Sequence, residues 1–522
     1  MNPAASIAAV TLVAVATLLI GALGLRLSRT TSDFYVASRS VGPLWNASAI
    51  GGEYLSAGSF LGVAGLVLAF GADMLWYPVG WTAGYLVLLV LVAAPLRRSG
   101  AYTLPDFAEA RLESAHVRRI SSVLVVAIGW LYLLPQFQGA GITLRTVTGA
   151  PGWVGGAVIA LVVGINVLSG GMRSITFVQA FQYWLKLTAL LVPLVFLLLR
   201  WGADGWASPV QAAVGGDALA GADWVQPLSS GVDHPVYATY SLILATFLGT
   251  MGLPHVLVRF YTNPDGRAAR RTTLVVLGLL GGFYLLPAVY GALGRVYAPD
   301  LLDGGRADTV VLELPGRMVE GVLGDALGAL VTAGAFAAFL STSSGLTVSV
   351  AGVLSQDLLG RWLPGVTAFR VAGLVAVAVP LVLALLAQDL PIAQVVGLAF
   401  AVAASTFCPL LVLGIWWRRL TDVGAICGLL VGGGLSGGAV VLTVLGVVDG
   451  GWAGALLTQP GAWTVPVAFA VMVGVSLATP RRMAPNTART MVRLHMPEQI
   501  DVDRGDFQPR ATRVGLTRRT RP

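Results

Sequence analysis

The chain has 522 residues, of which 56% are hydrophobic and only 11% charged. A soluble domain carries about 25% charged residues, so the composition excludes an ordinary water-soluble protein and describes a polytopic membrane protein. The net charge of +8 is no nucleic-acid signature, because the arginines flank apolar runs; the two cysteines, Cys408 and Cys427, lie in or beside such runs, which argues against a disulfide framework or a metal cluster.

A bilayer core takes about 20 apolar residues per helix. On that ruler, spans fall at 6–25, 44–69, 76–96, 120–144, 152–170, 175–199, 236–259, 273–297, 324–354, 366–387, 392–417, 423–447 and 462–479. The first lacks a charged leader and an A-x-A cleavage site, so it reads as a retained helix rather than a signal peptide. The second contains WNASAIGGEYLSAGSFLGVAG, from Trp45 to Gly65, and breaks the rules of a membrane helix. Gly51 and Gly52 weaken it just before an acid, Glu53, and Ser56, Gly58, Ser59 and Gly62 follow. Unwound backbone is tolerated in hydrocarbon only where protein buries it or it lines a cavity. Its freed carbonyls suit a small cation, and the amides of the next half-helix suit an anion.

Further along, Lys186 sits deep in the span at 175–199, where a structural role is expected. It is the sole lysine; every other basic residue is arginine. The span at 236–259 carries a second flaw, TFLGTMGLPHVLVRFY, with Gly249, Gly252 and Pro254 in its middle. Counted after the first span, the broken helices are numbers one and six, a five-plus-five arrangement that points to a transporter's binding site. In the span at 324–354, AAFLSTSSG places Ser341, Thr342, Ser343 and Ser344 together. Such hydroxyls either back-bond and glue helices or join carbonyls in an oxygen shell for an alkali cation.

Thirteen spans put the two ends of the chain on opposite sides of the membrane. Arginines mark the cytoplasmic side. With the N-terminus outside, the inner segments hold Arg97, Arg98, Arg118, Arg119, Arg259, Arg270, Arg271, Arg418, Arg419 and an arginine-rich tail. The outer ones keep only Arg145, Arg200, Arg295, Arg306 and Arg317. Two outer loops are long and acidic, Trp201 to Pro235 and Pro299 to Leu323, and the second is expected to contain a short amphipathic helix. The tail at 480–522 is polar, basic and proline-punctuated, which reads as disordered.

Three stretches carry a family likeness: SDFYVASRSVGPLWNASAIGGEYLSAGSFLGVAG from Ser32, RSGAYTLPDFAEARL from Arg98, and GTMGLPHVLVRFYTNPDGRAARR from Gly249. The chain resembles the sodium:solute symporter family, and within it the cation/acetate symporter branch of monocarboxylate carriers. The resemblance implies an all-α, leucine-transporter-like fold with a 5+5 inverted repeat and about 13 transmembrane helices. It divides the chain into an extra N-terminal helix and loop (1–43), a ten-helix core (44–417), two further helices (418–479) and the tail (480–522).

The same resemblance implies a sodium site made of the carbonyls of Gly52, Leu55 and Ala338 and the hydroxyls of Ser341 and Thr342. One departure stands out: where many relatives carry an aspartate near the start of the fifth core helix, this chain has Gln179. Protons are therefore an alternative coupling ion, with Glu53 the candidate carrier or gating acid, since an intramembrane carboxylate is a functional hypothesis by default. For a short monocarboxylate, the half-helix amides near Ser56 to Ser59 would bind the oxygens. Tyr54, Phe60 and Met251 would wall the apolar tail, with Gln136 and His255 as donors. No basic residue is expected at that site.

The functional expectation is import of acetate or a similar monocarboxylate by cation symport, sodium being the coupling ion and no cofactor being needed. The partners are the solute, sodium or a proton, and the lipid bilayer, without nucleic acid. The expected location is the cytoplasmic membrane. Rival readings are the same machine carrying pyruvate, propionate, proline or a sugar, and a membrane sensor that binds without transport. No soluble segment carries paired carboxylates, a nucleophile–histidine set or a phosphate loop, so an enzyme is not expected.

Overall fold

The computed structural model describes residues 2–25, 41–169, 172–212, 221–229, 232–303, 305–360, 362–363, 365–386, 391–447 and 450–497. Every regular element among the described residues is helical. The chain opens with α1 (Pro3–Leu25). The first broken span follows as α2 (Pro43–Tyr54), a π-helical turn at Gly58–Gly62, and α3 (Val63–Phe70). Gly71, at φ 71°, ends it, and a Cβ there would overlap the Trp224 carbonyl oxygen. The left-handed conformation and the close approach both require glycine.

The return pass is α4 (Trp76–Val87), a π-helical turn at Leu88–Val92, and α5 (Ala93–Ser99). A short helix α6 (Leu104–Leu112) starts at a capping box between Thr103 and Asp106. Three long passes come next: α7 (Ala115–Thr148), α8 (Gly152–Ser169) and α9 (Met172–Ala203). The second broken span is α10 (Pro235–Gly252), α11 (Pro254–Val258) and a 3-10 turn at Arg259–Thr262. Then come α12 (Gly266–Tyr297), the short α13 (Val310–Met318), α14 (Gly321–Val353), α15 (Gly365–Leu386) and α16 (Ile392–Trp416). The chain closes with α17 (Asp422–Val444), the short α18 (Gly451–Thr458), α19 (Gly461–Ala478) and α20 (Thr487–His495).

Eleven helical stretches among the described residues are long and apolar enough to cross a membrane. One of them, the 42 residues of Gly58–Ser99, runs through the turn at Gly71 and holds parts of two passes. At about 1.5 Å per residue it is twice as long as one crossing needs. The apolar helix at Gly152–Val167 is shorter than the rest. Together these account for the thirteen expected passes. The expected amphipathic helix of the second acidic loop is α13, which buries Val310, Val311, Leu312, Leu314 and Met318.

Two expectations need correction. Residues 487–495 of the tail, read as disordered, form α20. Its Thr487, Met491 and Leu494 fall at i, i+4 and i+7 and are buried on one face. Arg98 donates to the His495 carbonyl at 3.2 Å, and the Arg111 guanidinium bonds Thr487 Oγ1 and the carbonyls of Gly414 and Trp417. The apolar stripe is too short to stand out among the arginines; residues 498–522 lie outside the described residues. Second, Arg259, counted as a marker of the inner loops, is 1% exposed and belongs to the centre. The remaining arginines of α5, α6 and the α16–α17 turn still gather at one end, with α20.

Candidate functional site

The two breaks have different local causes. After Tyr54 the chain leaves the helix at Leu55 (φ −73°, ψ 89°) and resumes before the π-helical turn. The second break is at Leu253 (φ −74°, ψ 115°). Proline pushes its predecessor out of the α region, and Pro254 opens α11 without an amide to satisfy. Glycines let both broken helices press on their neighbours. A Cβ on Gly52 would overlap the Gln179 carbonyl of α9, and one on Gly249 or Gly252 would overlap the Phe400 or Ala403 carbonyl of α16.

Four side-chain bridges tie the broken helices together. Glu53 Oε2 pairs with Arg259 Nε at 2.7 Å, both groups being almost wholly buried. Tyr54 Oη lies 2.9 Å from Thr250 Oγ1. Asn46 Nδ2 donates to the Arg259 carbonyl at 3.1 Å, and Thr262 Oγ1 donates to Asn46 Oδ1 at 3.2 Å. The Arg259 fork is completed by Thr176 Oγ1 at 2.8 Å and by Gln179 Oε1, and Gln179 Nε2 reaches the Ser341 carbonyl at 2.8 Å. This ties the buried carboxylate of α2 to the 3-10 turn at Arg259–Thr262, to α9 and, through Gln179, to α14. Room for the carboxylate comes from Gly345, where a Cβ would collide with Glu53 Oε1.

The residues of the expected cation site all come from α2, the break after it, and α14. The carbonyls of Gly52 and Leu55 both accept from Lys186 Nζ, the latter at 2.7 Å. Thr342 Oγ1 donates to the Glu53 carbonyl at 2.6 Å, and Ser341 Oγ donates to the Ala338 carbonyl at 3.0 Å. Lys186 and Arg259 are therefore basic residues at the centre, contrary to the expectation that none stands there. The signal for Arg259 was the buried acid opposite it. The signal for Lys186 was its spacing of seven from Gln179, which puts both on one face of α9.

The seven expected substrate residues are all buried, none more than 2% exposed, and their contacts run to several different helices. Gln136 Oε1 accepts from the Ala57 amide at 2.9 Å, so it caps the outer half-helix rather than facing a ligand alone. Ser59 Oγ lies 2.9 Å from Tyr284 Oη, and Phe60 packs on Phe283 at 6.4 Å, so both turn toward α12. Tyr54 stands edge-on to Tyr85 at 5.0 Å and to Phe400 at 6.1 Å. Met251 is fully buried beside the second break, and Ser56 Oγ is buried beside the first. His255 lies tilted against Tyr132 at 5.1 Å between ring centroids, and both of its ring nitrogens are buried with no hydrogen-bond partner among the described residues.

An aromatic set missed in the sequence links these residues. Trp81 packs on Tyr284 (5.7 Å) and Phe400 (5.8 Å), and Phe400 on Tyr132 (5.9 Å). These rings come from α4, α7, α12 and α16, so no local spacing could have grouped them.

The profile of the sodium:solute symporter family matches residues 34–432, which cover both broken helices and every residue of the centre just described. The chain belongs to the sodium:solute symporter family. Two relatives agree over nearly the whole length. A Bacillus subtilis protein named uncharacterized symporter YwcA is 31% identical over 92% of this chain and 96% of its own. A Corynebacterium glutamicum protein named monocarboxylic acid transporter is 32% identical over 90% and 91%.

Among solved structures, a Na+-coupled sialic acid symporter in a substrate-bound outward-open state superposes with a TM-score of 0.68. The two are 15% identical, and the match covers 92% of this chain and 98% of the other. Mhp1, a nucleobase-cation-symport-1 transporter, gives 0.52 at 14% identity over 89% and 99%. At these identities the likeness shows the fold, which is that of the leucine transporter. This member of the sodium:solute symporter family is thus a multi-pass membrane symporter and not an enzyme.

Proposed function

We propose that the chain imports acetate or a similarly short monocarboxylate across the cytoplasmic membrane by symport with a cation. The observation that carries the substrate class is His255. The buried imidazole at the second break, with no hydrogen-bond partner among the described residues, offers an N–H donor that a small anion would satisfy, and an unmet buried polar group costs about 1–3 kcal/mol. The printed name of the Corynebacterium relative supports the same class. The proposed cation seat is the cluster of Gly52, Leu55, Ala338, Ser341 and Thr342. Orientation follows the arginine-rich end, which is assigned to the cytoplasm with the N-terminus outside.

Transport would proceed by alternating access, with a helix bundle rocking about the two breaks. Glu53 and Arg259 lie in the inner halves of the two broken helices, so their pair acts as a latch that keeps those halves together. The aromatic rings beside the two breaks would wall a tail of one or two carbons.

The test is labelled acetate uptake into proteoliposomes, with sodium and proton gradients imposed separately and unlabelled solutes as competitors. Accumulation under an imposed gradient, competed by propionate and pyruvate but not by proline or a sugar, supports the reading. Competition by proline or a sugar moves the substrate class, and binding without accumulation makes the protein a sensor. His255→Ala is expected to raise KM about tenfold, the equivalent of roughly 1.4 kcal/mol.

A further inference from the structure

We propose that the ε-ammonium of Lys186 is the resident occupant of the cation seat, so that this chain neither binds nor needs a free sodium ion there. The inference rests on reading that cluster as a cation seat and is independent of the substrate. Lys186 is fully buried on α9 and donates to the Gly52 and Leu55 carbonyls, the latter at 2.7 Å. Those are both of the carbonyl ligands that the first broken helix would offer an ion. The other members are already bonded within the protein: Thr342 Oγ1 to the Glu53 carbonyl at 2.6 Å, and the Ala338 carbonyl to Ser341 Oγ at 3.0 Å.

The register of α9 builds this arrangement. Gln179, Tyr183 and Lys186 fall at i, i+4 and i+7 on the face toward α2. Gln179 holds the Arg259 fork, the Tyr183 ring lies against Gly51, and Lys186 reaches across the unwound turn. The Gln179 carbonyl is also the atom that forbids a side chain on Gly52, so α9 and the break are held close enough for the amine to reach. A mobile cation on the same two carbonyls would have to displace the amine nitrogen that both already accept from. The only carboxylate in the network, Glu53, is already paired with Arg259.

Composition adds an independent argument. The chain has 33 basic residues of lysine or arginine type, and Lys186 is the sole lysine. Arginine serves at every other position, yet here the chain uses the residue whose charge is a compact point with rotatable donors. From its single nitrogen the amine donates to both carbonyls, as a small spherical cation would be held by them.

The experiment is ²²Na+ binding to the purified, full-length protein in detergent, which needs no substrate. Wild type is expected to show no saturable binding at millimolar sodium. Lys186→Ala and the stem-preserving Lys186→Met vacate the charge and are expected to gain about one equivalent of bound sodium. Adding Ser341→Ala and Thr342→Ala to either variant should abolish that gain. Saturable sodium binding by wild type would overturn the proposal. So would a folded Lys186 variant that binds none, because the amine would then be only a cap on two helix carbonyls. If neither variant folds, the wild-type measurement decides, together with its melting temperature in sodium chloride against choline chloride, for which no difference is expected. A failure to transport acetate would refute the substrate assignment and leave the binding result standing.

Discussion

At the residue scale the centre is a set of mutual dependencies. Removing one partner of a buried ion pair strands the other and costs about 3–5 kcal/mol. Glu53→Gln and Arg259→Met should therefore each lower stability by that order and abolish uptake. The double variant should be more stable than either single one, which a double-mutant cycle on thermal melts would reveal. Gly52→Ala makes a sharper test, because its methyl has nowhere to go against the Gln179 carbonyl. It should fail to yield folded, monodisperse protein by size-exclusion chromatography, whereas Gly278→Ala, where a Cβ meets nothing within 4 Å, should behave as wild type. Glu53 and the hydroxyl pair Ser341 and Thr342 were legible in the sequence as intramembrane polar groups. Their partners were not, because pairing across 206 residues, as between Glu53 and Arg259, leaves no periodic trace.

At the scale of elements, the breaks were legible and their surroundings were not. Glycine and proline announce an unwound turn through backbone physics alone, so both interrupted helices and their order could be read. The aromatic rings around them sit on four separate helices and become neighbours only after folding. The tail shows the opposite failure, a docked helix hidden by charge. Leu494→Asp should detach α20 and lower the melting temperature by several degrees, about 1.5–3 kcal/mol for burying a leucine side chain; limited proteolysis near residue 486 would report it.

A pH effect belongs to the 3-10 turn at Ala307–Thr309. Asp308 is partly exposed, but its carboxyl points inward toward Gly65 of α3 and accepts from the Ile392 amide at 3.4 Å. Burial pushes it from 3.8 up to about 6, opposed by that amide bond. A carboxyl raised in the fold contributes its full share of stability below its unfolded value near 4. That share is lost as pH rises through about 6. Asp308→Asn should therefore be more stable than wild type at pH 7.5, by on the order of 1 kcal/mol. The advantage should fade as melts are repeated toward pH 5.

For the whole molecule, charge movement separates stoichiometries. One monovalent anion moving with one monovalent cation carries no net charge, so a membrane potential does no work on the cycle. Each uncompensated charge would be worth about 2.3 kcal/mol per 100 mV. Imposing a potassium diffusion potential with valinomycin should leave the initial rate of acetate uptake unchanged. A severalfold acceleration at inside-negative potential would mean a second cation travels with each anion. The lone lysine has a further use that follows from where it is buried. Amine-acylating reagents find no side-chain target on the outside of this protein, so a small, membrane-impermeant acylating agent can modify a side chain only when a passage opens to the centre. The rate at which that single site is labelled, with solute present or absent and from one face or the other, becomes a clock for the opening of each gate.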